Sequence, residues 1–152
     1  MKDIYSSLRH VEDSEKFREW KKKHKGFLCS IFMMCSADKL DGDWQFDFYS
    51  NGKITSFSDK AFSESDIFEK HELKELKLDK VNIKIEDALK IIRGLKEEKY
   101  KDESFDKIII ILQNGLWNIS YITKSFKILN IKIDNKNGKI TEESLKPLFS
   151  FM

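Results

Sequence analysis

The sequence predicts an α+β fold of two modules packed together, each made of a helix followed by an antiparallel meander. Two observations support this prediction. Amphipathic helical stretches alternate with groups of short apolar segments joined by Asn-Gly turns. The second half of the chain also repeats the order of the first: helix, apolar strand, turn, and a strand that opens with tryptophan. With 152 residues, of which 40% are hydrophobic, the chain is long enough to bury a sizeable core.

The first module begins with helical segments. A helix is predicted to start after Ser14, a residue type that caps helices, and to stop at Gly26. The basic run from Lys21 to Lys25 lies in its last turn, where the helix dipole favours cations without any ligand. The apolar residues before this helix share one helical face, but their spacing does not continue into the apolar residues of the helix itself. This mismatch predicts a break near Asp13. They are Ile4, Leu8 and Val11.

A three-stranded meander follows this helix. The stretch from Phe27 to Ala37 is apolar on both alternation faces, which is typical of a central strand. The stretch from Trp44 to Tyr49 alternates as a half-exposed strand. Asn51-Gly52 is typical of a type I′ hairpin turn, and Lys53 to Ser58 forms the returning strand.

The two cysteines are predicted to be free thiols. Cys29 and Cys35 lie in one extended strand, so about 20 Å separates their Cα atoms. A disulfide requires a Cα separation below about 7 Å. Free thiols packed as small hydrophobic groups are typical of a reducing compartment.

An irregular excursion over residues 59–80 precedes the second module. Its apolar residues follow no single period, and it is expected to contain short helices. The stretch from Val81 to Ile85 alternates as a short strand. The stretch from Ala88 to Lys99 has the spacing of an amphipathic helix, with Glu86 and Asp87 in its first turn.

A second meander follows this second helix. Residues 106–113 contain four consecutive isoleucines and predict a buried strand, which Asn114-Gly115 ends with another type I′ turn. Two further strands are predicted at 117–123 and 126–134. In the last strand the apolar positions change parity between Ile128 and Leu129, which predicts a β-bulge or an edge switch there.

The sequence therefore predicts two domains, 1–80 with the excursion and 81–152, that form one compact unit. The residues from Trp44 to Phe48 match those from Trp117 to Tyr121 position by position. A repeat of roughly 65 to 75 residues is too long for a solenoid unit and is typical of a duplicated α+β module.

Three stretches of the second half carry a family pattern. Residues 83–88 read I-x-x-E-x-A at a helix entry, Leu116-Trp117 opens a strand, and residues 133–140 read I-D-x-x-N-G-x-I. In these motifs the second half resembles a PepSY domain. Asn137 departs from the family's usual threonine, and Lys84 stands where a capping serine or threonine is common. The first half resembles the same family through Trp44-Gln45-Phe46 and Asn51-Gly52-Lys53-Ile54.

The resemblance implies a cystatin-like α+β architecture and a role without catalysis. PepSY domains occur in protease propeptides and in secreted or membrane proteins, and they are proposed to inhibit or regulate peptidases. We therefore expect a protein- or peptide-binding regulatory module, with peptidase inhibition as one form of that role. The given sequence shows no protease domain beside the two modules, so the inhibitory role does not carry over directly.

The residues show no catalytic set, so the chain is expected not to be an enzyme and to need no cofactor or metal. The available bases are His10, His24 and His71, and the cysteines lie in an apolar strand where burial makes a thiol a poor nucleophile. No zinc, EF-hand or phosphate-loop spacing occurs. Two alternatives stay open: a small ligand-binding protein or enzyme with a pocket between helices and sheets, and a structural homodimer.

Aromatic residues are the candidates for contacting a partner. The formal net charge is only +2, so strong nucleic-acid binding is disfavoured and a protein or peptide is the expected partner. The same aromatic rings also suit the core beneath a helix, and the apolar tail suits docking on the body. The candidate residues are Trp44, Phe46, Trp117, Tyr121, Phe149 and Phe151.

The N-terminal stretch predicts a cytoplasmic location. Residues 1–10 carry an acidic residue at Asp3 and lack the apolar region of a secretory signal, although a chain whose signal had been removed would look the same. The most apolar stretch is far shorter than the roughly 20 residues that span a bilayer, so no membrane helix is expected.

Overall fold

Two of the three α-helices in the described residues begin after a residue whose side chain caps them. In the computed structural model, which describes residues 1–66 and 73–151, the α-helices are α1 (Ile4–Glu12), α2 (Glu15–Lys23) and α3 (Ile85–Lys99). The carboxylate of Asp3 accepts from Ser6 N at 2.9 Å, and the hydroxyl of Ser14 accepts from Phe17 N at 3.3 Å. The predicted break at Asp13, between α1 and α2, is confirmed.

Eight strands form one antiparallel sheet in the described residues. They are β1 (Phe27–Ser36), β2 (Gln45–Ser50), β3 (Lys53–Phe57), β4 (Phe62–Asp66), β5 (Phe105–Gln113), β6 (Leu116–Thr123), β7 (Lys127–Asp134) and β8 (Ile140–Pro147). Short 3₁₀ turns cover Leu78–Lys80 and Leu148–Phe151. The α+β class is therefore confirmed.

The strand order is β4-β3-β2-β1-β5-β6-β7-β8. Each half of the chain forms a four-stranded meander, and β1 and β5 are antiparallel neighbours at the centre of the sheet. Ser30 is opposite Gln113 and Ser36 is opposite Lys107 along this central pair. The two predicted meanders thus belong to one continuous sheet.

Both hairpin turns predicted from Asn-Gly are confirmed. The φ angles are 49° at Asn51 and 82° at Gly52, and they are 51° at Asn114 and 80° at Gly115. These positive values are those of type I′ turns. Gly26, predicted as a helix stop, lies beyond the end of α2, and a Cβ on it would come within 2.3 Å of the Tyr49 carbonyl oxygen. Its role is to let two backbone segments approach closely.

The core lies between the helices and one face of the sheet. Val11, Phe17 and Trp20 from the first two helices, and Ala88 and Ile92 from α3, belong to one buried cluster. The cluster also includes the residues of one sheet face, among them Ile31, Met33, Phe46, Ile108, Ile110, Leu112, Ile119, Leu129 and Ile131. All three helices therefore cover the same face of the sheet.

Two local predictions are wrong. Val81 to Ile85 is not a strand: Ile85 begins α3, and the segment before it pairs with no strand. Its N–H groups donate from Val81 N to Leu78 O at 3.3 Å, within the 3₁₀ turn, and from Ile83 N to Asn135 O at 2.8 Å. Its apolar residues alternate because one side of an unpaired segment packs on the core. The bulge at Ile128 and Leu129 is also absent, since both residues keep regular register with β6. The two apolar residues lie on opposite faces of a regular strand, and in the sequence this looks the same as a change of parity.

The excursion at 59–80 contains a strand that was not predicted, β4, and a 3₁₀ turn. Residues 67–72, which include Ile67, Phe68 and His71, lie outside the described residues.

Cys29 and Cys35 are free thiols, as predicted, the first buried and the second half-buried. Among the described residues, no helix has the length and apolar character needed to cross a membrane.

Candidate protein-binding face

The helices cover one face of the sheet and leave its central strands open on the other. On β1, Ile31 and Met33 point toward the core, so Phe32 and Met34 lie on the opposite face. On β5, the same alternation places Ile109 opposite the buried Ile108 and Ile110. The side chain of Met34 is 54% exposed although it lies at the centre of the sheet.

The apolar residues of this open face form a continuous surface across four strands. Phe32 is directly opposite Ile111, and Met34 is directly opposite Ile109. Ile122 of β6 is directly opposite Ile128 of β7, and it lies diagonally next to Ile109. We call this surface the central apolar strip. It consists of Phe32, Met34, Ile109, Ile111, Ile122 and Ile128.

A polar cluster lies beside the strip on β1, β2 and β3. The carboxylate of Asp47 accepts hydrogen bonds from Ser30 Oγ at 3.0 Å, Gln45 Nε2 at 2.9 Å and Ser56 Oγ at 2.6 Å. These bonds hold four polar side chains in one arrangement on the open face. A partner would therefore meet an ordered polar surface there, with little side-chain entropy left to lose.

A second polar cluster lies on the other side of the strip, on β6 and β7. Asn130 Nδ2 donates to Asn118 Oδ1 at 2.7 Å and to Ser120 Oγ at 2.8 Å. These residues occupy the sheet positions that correspond to Gln45, Asp47 and Ser56 in the first meander. The apolar strip is thus bordered by hydrogen-bonded polar groups on two sides.

Four of the aromatic residues predicted to contact a partner lie in the core. Trp44, Phe46, Trp117 and Tyr121 are at most 4% exposed, so they form no surface platform, and that expectation is corrected. Their alternation places them on the face beneath the helices. The indole Nε1 of Trp44 donates to Lys2 O at 2.8 Å, and that of Trp117 donates to Ile83 O at 2.7 Å.

The C-terminal tail presents one exposed aromatic ring. Phe149 is 74% exposed and lies near Phe126, which is 71% exposed, because Leu148 N donates to Phe126 O at 2.7 Å. Phe126 has a φ of 61°, an uncommon conformation for a bulky residue. The Phe149 ring is therefore not docked on the body. The side chain of Phe151 lies outside the described residues.

A pocket of about 320 Å³ opens between the starts of α1 and α3. Its floor consists of Leu112 and Trp117, and its walls include Ile4, Val81 and Ile85. Lys84, Glu86 and Asp3 lie at its polar rim, and Tyr5 Oη donates to Leu78 O at 3.1 Å beside it. A hydrogen bond from Ser6 N lowers the pKa of Asp3, so its carboxylate stays ionised and keeps capping α1.

Cys29, His10 and His24 each contact a different neighbour. Burial raises the pKa of the Cys29 thiol to about 11, and its Sγ donates to Asp47 O at 3.3 Å. His10 Nδ1 lies 2.7 Å from Asp59 Oδ1, and His24 stacks on Trp20. No group of three or more potential metal ligands occurs in the part of the chain that the structure describes.

The residues of the open face were missed from the sequence, although a signal for them existed. The strands that became β1 and β5 are apolar on both alternation faces, and this was interpreted as burial on both faces. Within residues 1–66 and 73–151, helices cover only one face. The second apolar set on each strand, including Phe32 and Ile111, is therefore the central apolar strip.

Comparison with known proteins adds little to this geometry. No family model matches the chain, and no curated protein matches it. A solved structure described as a "putative lipoprotein" from Clostridium difficile 630 is similar to this chain at 10% sequence identity and a TM-score of 0.49. The similarity covers 86% of this chain and 89% of that one.

Proposed function

We propose that this chain is a non-catalytic binding module that holds a protein or peptide partner on the open face of its sheet. The observation that carries the proposal is the central apolar strip, above all Met34, which is 54% exposed in a central strand. A contiguous exposed apolar surface with a polar border is typical of a protein-interaction site.

The composition of the face favours a protein over a small ligand. The strip extends over four strands and has no enclosing walls, whereas small-molecule sites are concave. The bordering side chains of Asp47 and Asn130 are already hydrogen-bonded and ordered. An apolar centre with an ordered polar rim is the usual arrangement of an interface, where central residues carry most of the binding energy.

We further propose that the chain is a duplicated PepSY-like unit, and two equivalent hydrogen bonds support the duplication. Trp44 bonds to the carbonyl of Lys2, two residues before the start of α1, and Trp117 bonds to the carbonyl of Ile83, two residues before the start of α3. The strand order also supports the duplication, because β1 to β4 run outward from the centre of the sheet on one side as β5 to β8 do on the other. The resemblance to PepSY domains makes a peptidase the first partner class to test.

Capture experiments with matched variants test the proposed face. The wild-type chain, Met34→Asp and Phe149→Asp are each immobilised and exposed to a soluble extract of the organism that makes the protein. Both variants place a carboxylate at an exposed apolar position, one in the strip and one in the tail. We expect Met34→Asp alone to lose the partner, because binding would bury its charge without a counter-ion.

Purified peptidases provide the second measurement for the same variants. Inhibition by the wild type that Met34→Asp abolishes, and that Phe149→Asp retains, supports both the face and the partner class. Retention of the captured protein by Met34→Asp, or its loss only in Phe149→Asp, contradicts the proposed face. A doubled mass in light scattering that Met34→Asp reduces to the monomer mass identifies a second copy of the chain as the occupant.

The pocket between α1 and α3 supports a second candidate function, binding of a small apolar ligand. Its volume of about 320 Å³ lies at the lower end of the range for ligand sites, and its floor is apolar. Val81→Trp should fill the pocket and remove the binding of a fluorescent apolar dye. If Met34→Asp removes dye binding and Val81→Trp does not, the dye binds the open face and the pocket is not a ligand site.

A further inference from the structure

A lysine of α3 lies against two aromatic rings on the covered side of the sheet. Lys96 Nζ is 4.5 Å from the centroid of the Phe105 ring and 4.3 Å from that of the Tyr121 ring. Both distances are within the range of a cation–π interaction. The rings stabilise the positive charge of Lys96 and hold the ammonium in place, but they offer it no hydrogen-bond acceptor.

No carboxylate in the described residues forms an ion pair with Lys96. Lys99, one helical turn further along α3, forms an ion pair with Glu143 at 3.5 Å, whereas neither Lys96 nor Arg93 has an ion-pair partner in the described part of the chain. Arg93 and Lys96 are three residues apart on one helix, so their side chains are neighbours with like charge. The ammonium and the guanidinium are therefore adjacent cations without an ion pair in the described residues, and the nearest carboxylate along the helix is that of the exposed Glu97, one turn beyond Arg93.

The hydroxyl of Tyr121 adds a neutral donor next to these cations. Burial of its ring raises the pKa of Tyr121 to about 12, so the hydroxyl keeps its proton at physiological pH. It makes no hydrogen bond within the described residues. Burial, followed by repulsion from Arg93, lowers the pKa of Lys96.

We propose that Arg93, Lys96 and the Tyr121 hydroxyl form a binding site for a phosphate group, either as free inorganic phosphate or as part of a small phosphorylated ligand. The guanidinium fork and the ammonium supply two positive charges, which match the charge of a phosphate dianion, and the hydroxyl supplies one further donor. Arg93 is exposed and Lys96 is half-buried, so the group enters from solvent above the aromatic rings.

Nuclear magnetic resonance of the full chain tests this site with inorganic phosphate as the probe. The Lys96 side-chain and Tyr121 ring signals are followed during titration at constant ionic strength. We expect saturable shifts of these signals and an upward shift of the Lys96 pKa. Acetate, with a single charge, should bind at least about tenfold more weakly. Comparable binding of acetate and phosphate would contradict the assignment to phosphate.

Three variants separate specific binding from a general salt effect. Lys96→Met keeps most of the apolar stem, and Arg93→Gln keeps a polar side chain, so each removes one charge with little change in shape. Lys22→Met removes an exposed charge on α2, a different helix, and is the control. Phosphate should raise the melting temperature of the wild type and of Lys22→Met only. An equal rise in Lys96→Met and Arg93→Gln would overturn the proposal. These measurements do not depend on the open sheet face.

Discussion

Replacement of the two helix-anchoring tryptophans should destabilise the chain by amounts that the structure allows us to estimate. In Trp117→Phe, the carbonyl of Ile83 loses the donor that lies 2.7 Å away, and in Trp44→Phe the carbonyl of Lys2 loses the donor at 2.8 Å. Both bonds are part-buried, and an acceptor that loses its donor in such a place costs up to about 1–3 kcal/mol. The smaller ring removes roughly 40 Å³, which adds about 1 kcal/mol at about 24 cal/mol per Å³. Each variant should thus lose about 2–4 kcal/mol of unfolding free energy.

Urea unfolding measures this loss, and amide hydrogen exchange locates it. Trp44→Phe should speed exchange at the start of α1, and Trp117→Phe should speed exchange at the start of α3, because each bond holds the segment that leads into one helix. Trp20→Phe is the control. Trp20 is 5% exposed, and its indole nitrogen makes no hydrogen bond within the described residues, so the cavity cost of about 1 kcal/mol should remain alone.

The hydrogen-bond argument has clear contrary outcomes. A loss in Trp44→Phe and Trp117→Phe no larger than in Trp20→Phe would show that the indole bonds contribute nothing beyond ring volume. Equal acceleration of exchange in both helices by either variant would show that the tryptophans act on the whole core. Either outcome would also remove the main support for equivalent anchors in the two halves.

Two further predictions concern backbone packing and a buried thiol. Gly26→Ala should destabilise the chain by about 3 kcal/mol, because the new Cβ would lie 2.3 Å from the Tyr49 carbonyl oxygen. Gly94→Ala, in the interior of α3 with open space around it, should stabilise by about 0.5–1 kcal/mol, and urea unfolding of both variants checks the contrast. Because burial raises the Cys29 pKa from 9.0 to about 11, the unfolded thiol ionises first as pH rises. Stability should therefore fall between about pH 9 and 11 by about 2–3 kcal/mol more in the wild type than in Cys29→Ala. An identical fall in the two proteins would contradict this assignment, and alkylation at pH 8 should modify Cys35 well before Cys29.

The parts of the fold that were predictable depend on residues close together in sequence. Ser14 caps α2 with its own side chain, and Asn51-Gly52 adopts the positive φ angles of its turn. Both effects are local, since the chain conformation at each point follows from the chemistry of a few neighbouring residues. Lys84 is an unusual residue at a helix start, and it makes no side-chain capping bond.

The edge strands were missed for a physical reason. β4 and β8 lie at the two ends of the sheet, and their residues are largely exposed. In β8 the first three residues, Ile140 to Glu142, are all exposed, so no alternation of apolar and polar residues marks the strand. Such strands are held by backbone hydrogen bonds to a neighbour that already exists, and side-chain periodicity does not reveal them.

The sequence by itself determined where the helices start, where the chain turns, and which side chains of each strand are apolar. Only the tertiary structure decided that β1 and β5 are neighbours and that all three helices cover the same face of the sheet. The pairing of Phe32 with Ile111 joins distant parts of the chain. Such contacts depend on the packing of whole elements, and an apolar residue carries no mark that tells whether a helix will cover it. The same apolar alternation therefore produced both a core and the central apolar strip.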